Sequence, residues 1–277
     1  MRMFKQKISK GVQYLVTLLF FITIIFTVFQ YIPLPMGGMF VFAIFLLSFF
    51  LCALFHGVVC VGWRSALVFA GITFIICLFF ECLGVVTGII YGRYYYTDFL
   101  GYKFFNLVPI YIPIAWFMMI YASYGVSVHI VPRDNNVTLG HHIKRALVSS
   151  IAMTSWDLSM DPRLSTEWGL WVWVDGGHWF GVPIQNYMGW FITSMSIYIA
   201  YGIYNQYGSL RGDKHNFSIL FINLPTFLYI AMSINEVVAS LMIDQPILAL
   251  TAALSMGSFS FMAILNVLSM LRNNCTK

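Results

Sequence analysis

Charge is what this sequence has least of. Asp, Glu, Lys and Arg make up 9% of its 277 residues, against 60% hydrophobic and 18% aromatic side chains. A soluble domain carries about 25% charged residues, so this balance excludes an ordinary water-soluble enzyme and points to a polytopic membrane protein. Paired cysteines are missing too. Cys52, Cys60, Cys77, Cys82 and Cys275 form no CxxC motif, and four of them sit in apolar runs, where they read as small buried residues. The glycine patterns of phosphate and dinucleotide loops do not occur, nor do His pairs at metal spacing within an apolar run. There is no low-complexity tract, no fixed-period repeat and no soluble domain. The net charge of +5 needs no nucleic acid or other acidic partner, because basic cytoplasmic loops produce the same excess. A cleaved leader is not expected either: the basic start from Met1 to Lys7 runs into an apolar stretch long enough to span, with no small-residue cleavage site.

What is present is a series of long apolar runs, at about 13–33, 38–60, 66–90, 107–128, 142–160, 183–206, 217–240 and 247–270. Each is near or above the ~20 residues that cross a bilayer, the fifth being the most interrupted by polar groups. With eight spans and a cytoplasmic N-terminus, twelve of the fifteen Lys and Arg fall inside, leaving only Arg93, Lys103 and Arg163 outside. The expectation is an all-α integral membrane bundle of about eight helices, one domain over 1–277, both termini cytoplasmic, in a prokaryotic cytoplasmic membrane. The acids distribute the other way. Only Asp134 and Asp213 are placed on inner loops, and the remaining eight lie toward the outer side.

The segment from Trp156 to Trp190 concentrates the unusual chemistry, with four of the ten acids and six of the eight Trp. Carboxylates at a membrane boundary are costly and tend to be functional. Helical spacing aligns Glu81, Gly84, Gly88 and Tyr91 on the third span, and Ser150, Thr154, Asp157 and Asp161 on the fifth. It aligns Asn186, Trp190 and Thr193 on the sixth, and Tyr229, Ser233, Glu236 and Ser240 on the seventh. Gly84 and Gly88 read as a small-residue patch that admits another helix beside Glu81. These stripes are expected to converge on one interior cavity near the outer surface, since lipid-facing positions would not tolerate them. Structural duties compete with this reading. Asp157 and Asp161 could brace the end of their helix before Pro162, Arg163 could pair with Asp161 or Glu167, and the Trp cluster could be an interfacial belt. His56 and His178 read as hydrogen-bonded residues or, for His178, a site rim, not as metal ligands.

Several stretches together resemble a known family. They are Glu81-Cys82-Leu83-Gly84-Val85-Val86-Thr87-Gly88, Tyr91-Gly92-Arg93-Tyr94-Tyr95-Tyr96-Thr97-Asp98, Val108-Pro109-Ile110 and Ile112-Pro113-Ile114-Ala115-Trp116. Trp156-Asp157…Asp161-Pro162 and Gly181-Val182-Pro183…Asn186…Gly189-Trp190 complete the pattern. The set, over about 80–200, resembles the integral-membrane carotenoid biosynthesis proteins, which include the bisanhydrobacterioruberin hydratases and related carotenoid hydratases. The chain departs from that pattern at Ile90-Tyr91-Gly92, where the family often has Pro-Phe-Gly, and at Gly101-Tyr102-Lys103, where it has Gly-Pro-Lys. The resemblance implies addition of water to a terminal isoprenoid double bond of an acyclic carotenoid, with the lipid-soluble polyene and water as partners.

Such chemistry requires a proton donor, a surface that tolerates a tertiary carbocation, and a group that holds water, without metal or redox cofactor. A carboxyl group in a low-dielectric pocket can stay protonated, aromatic faces stabilise cations, and a second polar group can take the proton from water. Asp157 or Asp161 is the candidate acid, with Glu81 as partner acid or base. Tyr91, Tyr95, Trp156, Trp168 and Trp190 are the candidate aromatic lining, with Asn186 and Glu236 as polar contacts. A cyclase that quenches the same cation internally, a prenyltransferase binding Mg²⁺-diphosphate at Asp157 and Asp161, and a lipid or proton-coupled transporter are the alternatives.

Overall fold

In a computed structural model, described over residues 2–31, 38–132, 138–207 and 217–275, the chain is an all-α membrane bundle. Arg133, Asp134, Arg211, Asp213, Lys214 and Lys277, which enter the charge count above, lie outside the described residues. Three helices come first: α1 (Arg2–Phe29), α2 (Gly38–Val61) and α3 (Trp63–Thr87). An irregular excursion then carries β1 (Tyr94–Tyr96), β2 (Lys103–Phe104) and β3 (Val108–Pro109) before α4 (Tyr111–Ile130) and α5 (Leu139–Asp161). A π-helical turn over Pro162–Glu167 leads to β4 (Trp171–Trp173). The chain closes with α6 (Ile184–Tyr207), the short α7 (Ile219–Ile222), α8 (Leu224–Met242) and α9 (Pro246–Cys275). Among the described residues, six helices are long and apolar enough to cross a membrane: α1, α2, α3, α4, α8 and α9.

The helix ends follow local chemistry. The third apolar run was expected to reach residue 90 but stops at Thr87, because Gly88 takes a left-handed conformation and its N–H returns to the Gly84 carbonyl. The fourth run starts later than 107, because Val108 and Pro109 pair with β2 instead of coiling. The seventh run divides at Asn223, two residues before Pro225; proline disfavours helical backbone in the residue before it, and α8 restarts with Pro225 in its first turn.

Helix α4 is the central post, packed against α2, α3, α5, α8 and α9. More than half of its residues are buried. Helices α5 and α6 form one closely packed pair and α1 and α2 another. The polarity of α5 is turned inward: Ser149, Ser150, Ser155, Asp157, Ser159 and Asp161 are all buried, so this face is covered by protein, while Leu139, Ile143, Leu147 and Ile151 stay exposed on the other. At the other end of the bundle, His56 accepts from or donates to Tyr121 Oη at 2.8 Å and bonds the Phe221 carbonyl at 2.9 Å. This ties α2, α4 and α7 together and accounts for His56 as a satisfied interior residue.

Two excursions meet at the site end. β1 and β4 pair antiparallel with Tyr94 opposite Trp173 and Tyr96 opposite Trp171. Successive strand side chains alternate faces, so Tyr94, Tyr96, Trp171 and Trp173 share the inner face of this two-stranded ribbon. Tyr95 and Val172 share the outer one.

Candidate active site

Beneath the ribbon lies a cavity with about 890 Å³ of empty space, its mouth included. Its walls come from Gln30 just past α1, from α2, α3, α4, α5, α6 and α8, from the π-helical turn and from the ribbon, and they include Glu81, Asp161, Asn186 and Glu236. All four are buried.

Glu81 sits six residues before the end of α3, about 9 Å in at 1.5 Å per residue. Its Oε2 accepts from Tyr94 Oη at 2.6 Å and Tyr96 Oη at 2.8 Å, and its Oε1 accepts from Trp116 Nε1 at 3.1 Å. Asp161, at the end of α5, accepts through Oδ1 from Trp171 Nε1 at 2.9 Å and Trp173 Nε1 at 3.0 Å. The amide of Asn186 bridges the two aspartates, its Nδ2 donating to Asp157 Oδ2 and to Asp161 Oδ2, both at 2.7 Å. Asp157 Oδ1 is buried with no partner. No cation among the described residues pairs with Glu81, Asp157 or Asp161. One ribbon thus supplies two hydroxyls to one acid and two indole N–H groups to the other.

Glu236 is different. It forms a buried ion pair with Arg163, whose Nη2 reaches both carboxylate oxygens at 3.0 and 3.2 Å, and Oε1 also accepts from Trp156 Nε1 at 3.1 Å. The expectation that Arg163 pairs with Asp161 or Glu167 is therefore corrected. The π-helical turn after Asp161 carries the guanidinium to α8, and Asp161 is already occupied by three donors.

Aromatic rings connect the two poles. Trp190 stacks on Trp116 at 4.3 Å between centroids and meets Trp156 edge-on at 5.9 Å. The wall therefore runs from Glu81 through Trp116, Trp190 and Trp156 to Glu236. Tyr91 lines the cavity and bonds Thr193 at 2.8 Å, its ring wedged between Gly84 and Gly189. A Cβ on Gly84 would stand 2.6 Å from the ring, so Gly84 makes room for Tyr91 and not for a crossing helix, while Gly88 serves as the cap of α3.

Of the residues singled out from sequence, Glu81, Asp161, Asn186, Glu236, Tyr91, Trp156, Trp168 and Trp190 line this one cavity. Asp157 stands behind Asn186, fully buried but off the cavity wall. Tyr95 is 52% exposed on the outer face of β1, and His178 is exposed and off the wall. The residues missed are Tyr94, Tyr96, Trp171 and Trp173. The available signal was the aromatic and β-branched content of Tyr94-Tyr95-Tyr96 and Trp171-Val172-Trp173, which suits short strands.

A family model described as carotenoid biosynthesis protein matches residues 38–259. The chain belongs to that family. The match covers most of the chain and every cavity-lining residue except Gln30. Membership gives the chain a role in carotenoid biosynthesis, as an integral membrane enzyme of that pathway, and accords with a lipid-soluble isoprenoid substrate. Searches of curated proteins and of solved structures returned no match.

Proposed function

We propose that the chain is a carotenoid hydratase that adds water to a terminal isoprenoid double bond of an acyclic carotenoid by acid–base catalysis. The observation that carries this reading is the pairing, in one apolar cavity, of two carboxyl groups without a cation partner and a continuous indole wall. A carboxyl group out of reach of water favours its uncharged form, and two close carboxyl groups favour holding one proton between them. Asp161, on the cavity wall and coupled to Asp157 through the Asn186 amide, donates that proton to the CH carbon of a trisubstituted alkene. The π pair forms the new C–H bond, leaving a tertiary carbocation against the faces of Trp116, Trp190 and Trp156. Water adds to the cation as its proton passes to Glu81, so the sum of the step is alkene plus water. Reprotonation of Asp161 from Glu81 through cavity water resets the site.

Electrostatics argue against the prenyl-transfer alternative. A diphosphate needs several cations, and Arg163 is the one Lys or Arg among the residues lining the cavity, already committed to Glu236. Arg93 and Lys103 pair with Asp175 and Asp98 outside the cavity.

The same reading includes the membrane arrangement. α5 and α6 are read as spans alongside the six apolar helices, because their polar faces are covered by protein. Both termini are cytoplasmic, with the ribbon and cavity mouth outside. The test of function is expression in a host that makes an acyclic polyene, followed by mass analysis of its pigments. Hydration adds the mass of water. Unchanged pigments, or isomers of unchanged mass, would sink the reading.

A further inference from the structure

The end of the bundle away from the cavity carries a polar face of its own. Along the first half of α5, His142, Arg145 and Ser149 recur at i, i+3 and i+7, which puts them on one side of the helix. Arg145 lies about 24 Å from Asp161 along the axis at 1.5 Å per residue, and none of the three residues lines the cavity. Gly202 on α6 makes room for the first of them: a Cβ there would stand 2.9 Å from that of His142, so the imidazole seats directly against α6. The Arg145 guanidinium lies over the Tyr124 ring of α4, 4.5 Å from its centroid, and Tyr201 of α6 meets that ring edge-on at 5.9 Å. The face therefore looks in between α4 and α6.

Three polar atoms on it are buried without a hydrogen-bond partner: His142 Nε2, Arg145 Nε and Ser149 Oγ. His142 and Ser149 are each at least nine-tenths buried. Buried polar groups nearly always find a partner, and a cation out of water calls for an anionic one. No carboxylate among the described residues pairs with Arg145, and Lys144 adds an exposed cation next to it in the chain. A guanidinium N–H, a hydroxyl and an imidazole N–H can all donate, and such a set suits the several oxygens of one phosphate.

We propose that His142, Arg145 and Ser149 form a binding site for a phosphate group, carried on a membrane lipid or free in solution. Leu139 and Ile143 on α5 and Ile203 on α6 expose apolar side chains on the same turns, a surface along which the acyl chains of a lipid can lie. On the proposed topology this end faces the cytoplasm, where basic pockets between helices take anionic headgroups. The bound anion neutralises Arg145 and ties α5 to α6, the pair of helices that carries Asp157, Asp161 and Asn186 at its far end. The site stands apart from the hydration reading, because it shares no residue with the cavity.

The test reads binding, not turnover. Native mass spectrometry of the full chain in an uncharged detergent counts bound molecules and separates a lipid from inorganic phosphate by mass. Phosphatidylglycerol, phosphatidylcholine and inorganic phosphate are titrated in turn against wild type, Arg145→Gln and Ser149→Ala. Wild type is expected to hold one phosphatidylglycerol in preference to phosphatidylcholine, whose choline cation offsets the phosphate charge. Arg145→Gln should weaken that binding by roughly tenfold or more, because a hydrogen bond from a charged donor is lost, and Ser149→Ala by roughly twofold to tenfold. Inorganic phosphate binding with the same losses, where phosphatidylglycerol does not bind, assigns the site to the free anion. If Arg145→Gln does not fold, Ser149→Ala, which removes only an unpartnered hydroxyl, decides. Failure of both anions to bind wild type, or affinities unchanged in the folded variants, overturns the site and leaves these atoms to water.

Discussion

Replacing Asp161 by Asn tests the acid pair at its most constrained point. Three donors face this side chain: the indoles of Trp171 and Trp173 on Oδ1, and the Asn186 amide on Oδ2. An asparagine offers one acceptor oxygen and one NH2 group. If the oxygen faces the indoles, its NH2 confronts the NH2 of Asn186 and a buried donor goes unsatisfied, at about 1–3 kcal/mol. If Asn186 turns over to accept, Asp157 Oδ2 loses its donor, and Asp157 Oδ1 already has none. Either way Asp161→Asn loses about 1–3 kcal/mol of stability. Asp157→Asn keeps the Asn186 bond on its amide oxygen and puts its NH2 where Oδ1 already lacks a partner, one unpartnered atom for another, so its stability stays within about 1 kcal/mol. Catalysis separates from stability here. General acid catalysis contributes roughly 100- to 10,000-fold, equivalent to about 2.7–5.4 kcal/mol of barrier. Both variants are expected to form at least ~100-fold less hydrated pigment per unit of folded protein. The assay is pigment mass analysis in a polyene-producing host, normalised to monodisperse protein by size exclusion, with detergent melts for stability. Asp161→Asn hydrating at more than roughly a tenth of the wild-type rate would refute the acid assignment.

Four further outcomes follow from the same geometry. Arg163→Ala leaves Glu236 buried without its cation and should cost about 3–5 kcal/mol in a detergent melt, whereas the double change Arg163→Met with Glu236→Met should recover most of it. Gly189→Ala places a Cβ 2.7 Å from the Ile90 carbonyl and against the Tyr91 ring; overpacking of about 1–3 kcal/mol is expected, with loss of the Tyr91–Thr193 bond and of turnover. Asp175→Asn should change turnover less than about twofold, because its pair with Arg93 is exposed. That hydrogen bond holds the Asp175 carboxyl below the ordinary carboxylate range, so its contribution is present above the unfolded value and disappears only as pH falls through the lower folded one. A pH profile of Asp175→Asn should accordingly match wild type at neutral pH. Reporter fusions after residue 275 should report a cytoplasmic C-terminus, and an extracytoplasmic signal there would overturn the proposed topology.

The helices were legible in the sequence because a lipid-facing run must be apolar along its whole length, and six such runs reappear as helices of spanning length. Glu81, Asp161, Asn186 and Glu236 were legible as inward-facing groups by the same constraint. The ribbon was not. Three-residue strands carry too little alternation to stand out, so the sequence reading takes Tyr95 as lining and passes over Tyr94 and Tyr96, although the pleat sends the first outward and the other two inward. Partner choice was also hidden. Arg163 finds Glu236 across 73 positions of chain, past the expected partners Asp161 and Glu167, because tertiary packing and not sequence distance sets the pair. Asp157 and Asp161 lie one turn apart on one face, yet only Asp161 reaches the cavity, since Asn186 from α6 fills the space in front of Asp157.

The most direct measurement follows the atoms of water into the product. Purified protein, an acyclic polyene and buffer in heavy-oxygen water or in D2O should give an alcohol whose oxygen comes from solvent and which carries one carbon-bound deuterium per reacted end. A product with oxygen from O2, or an isomer carrying deuterium but no added oxygen, would contradict proton-initiated hydration by Asp161 and its partners.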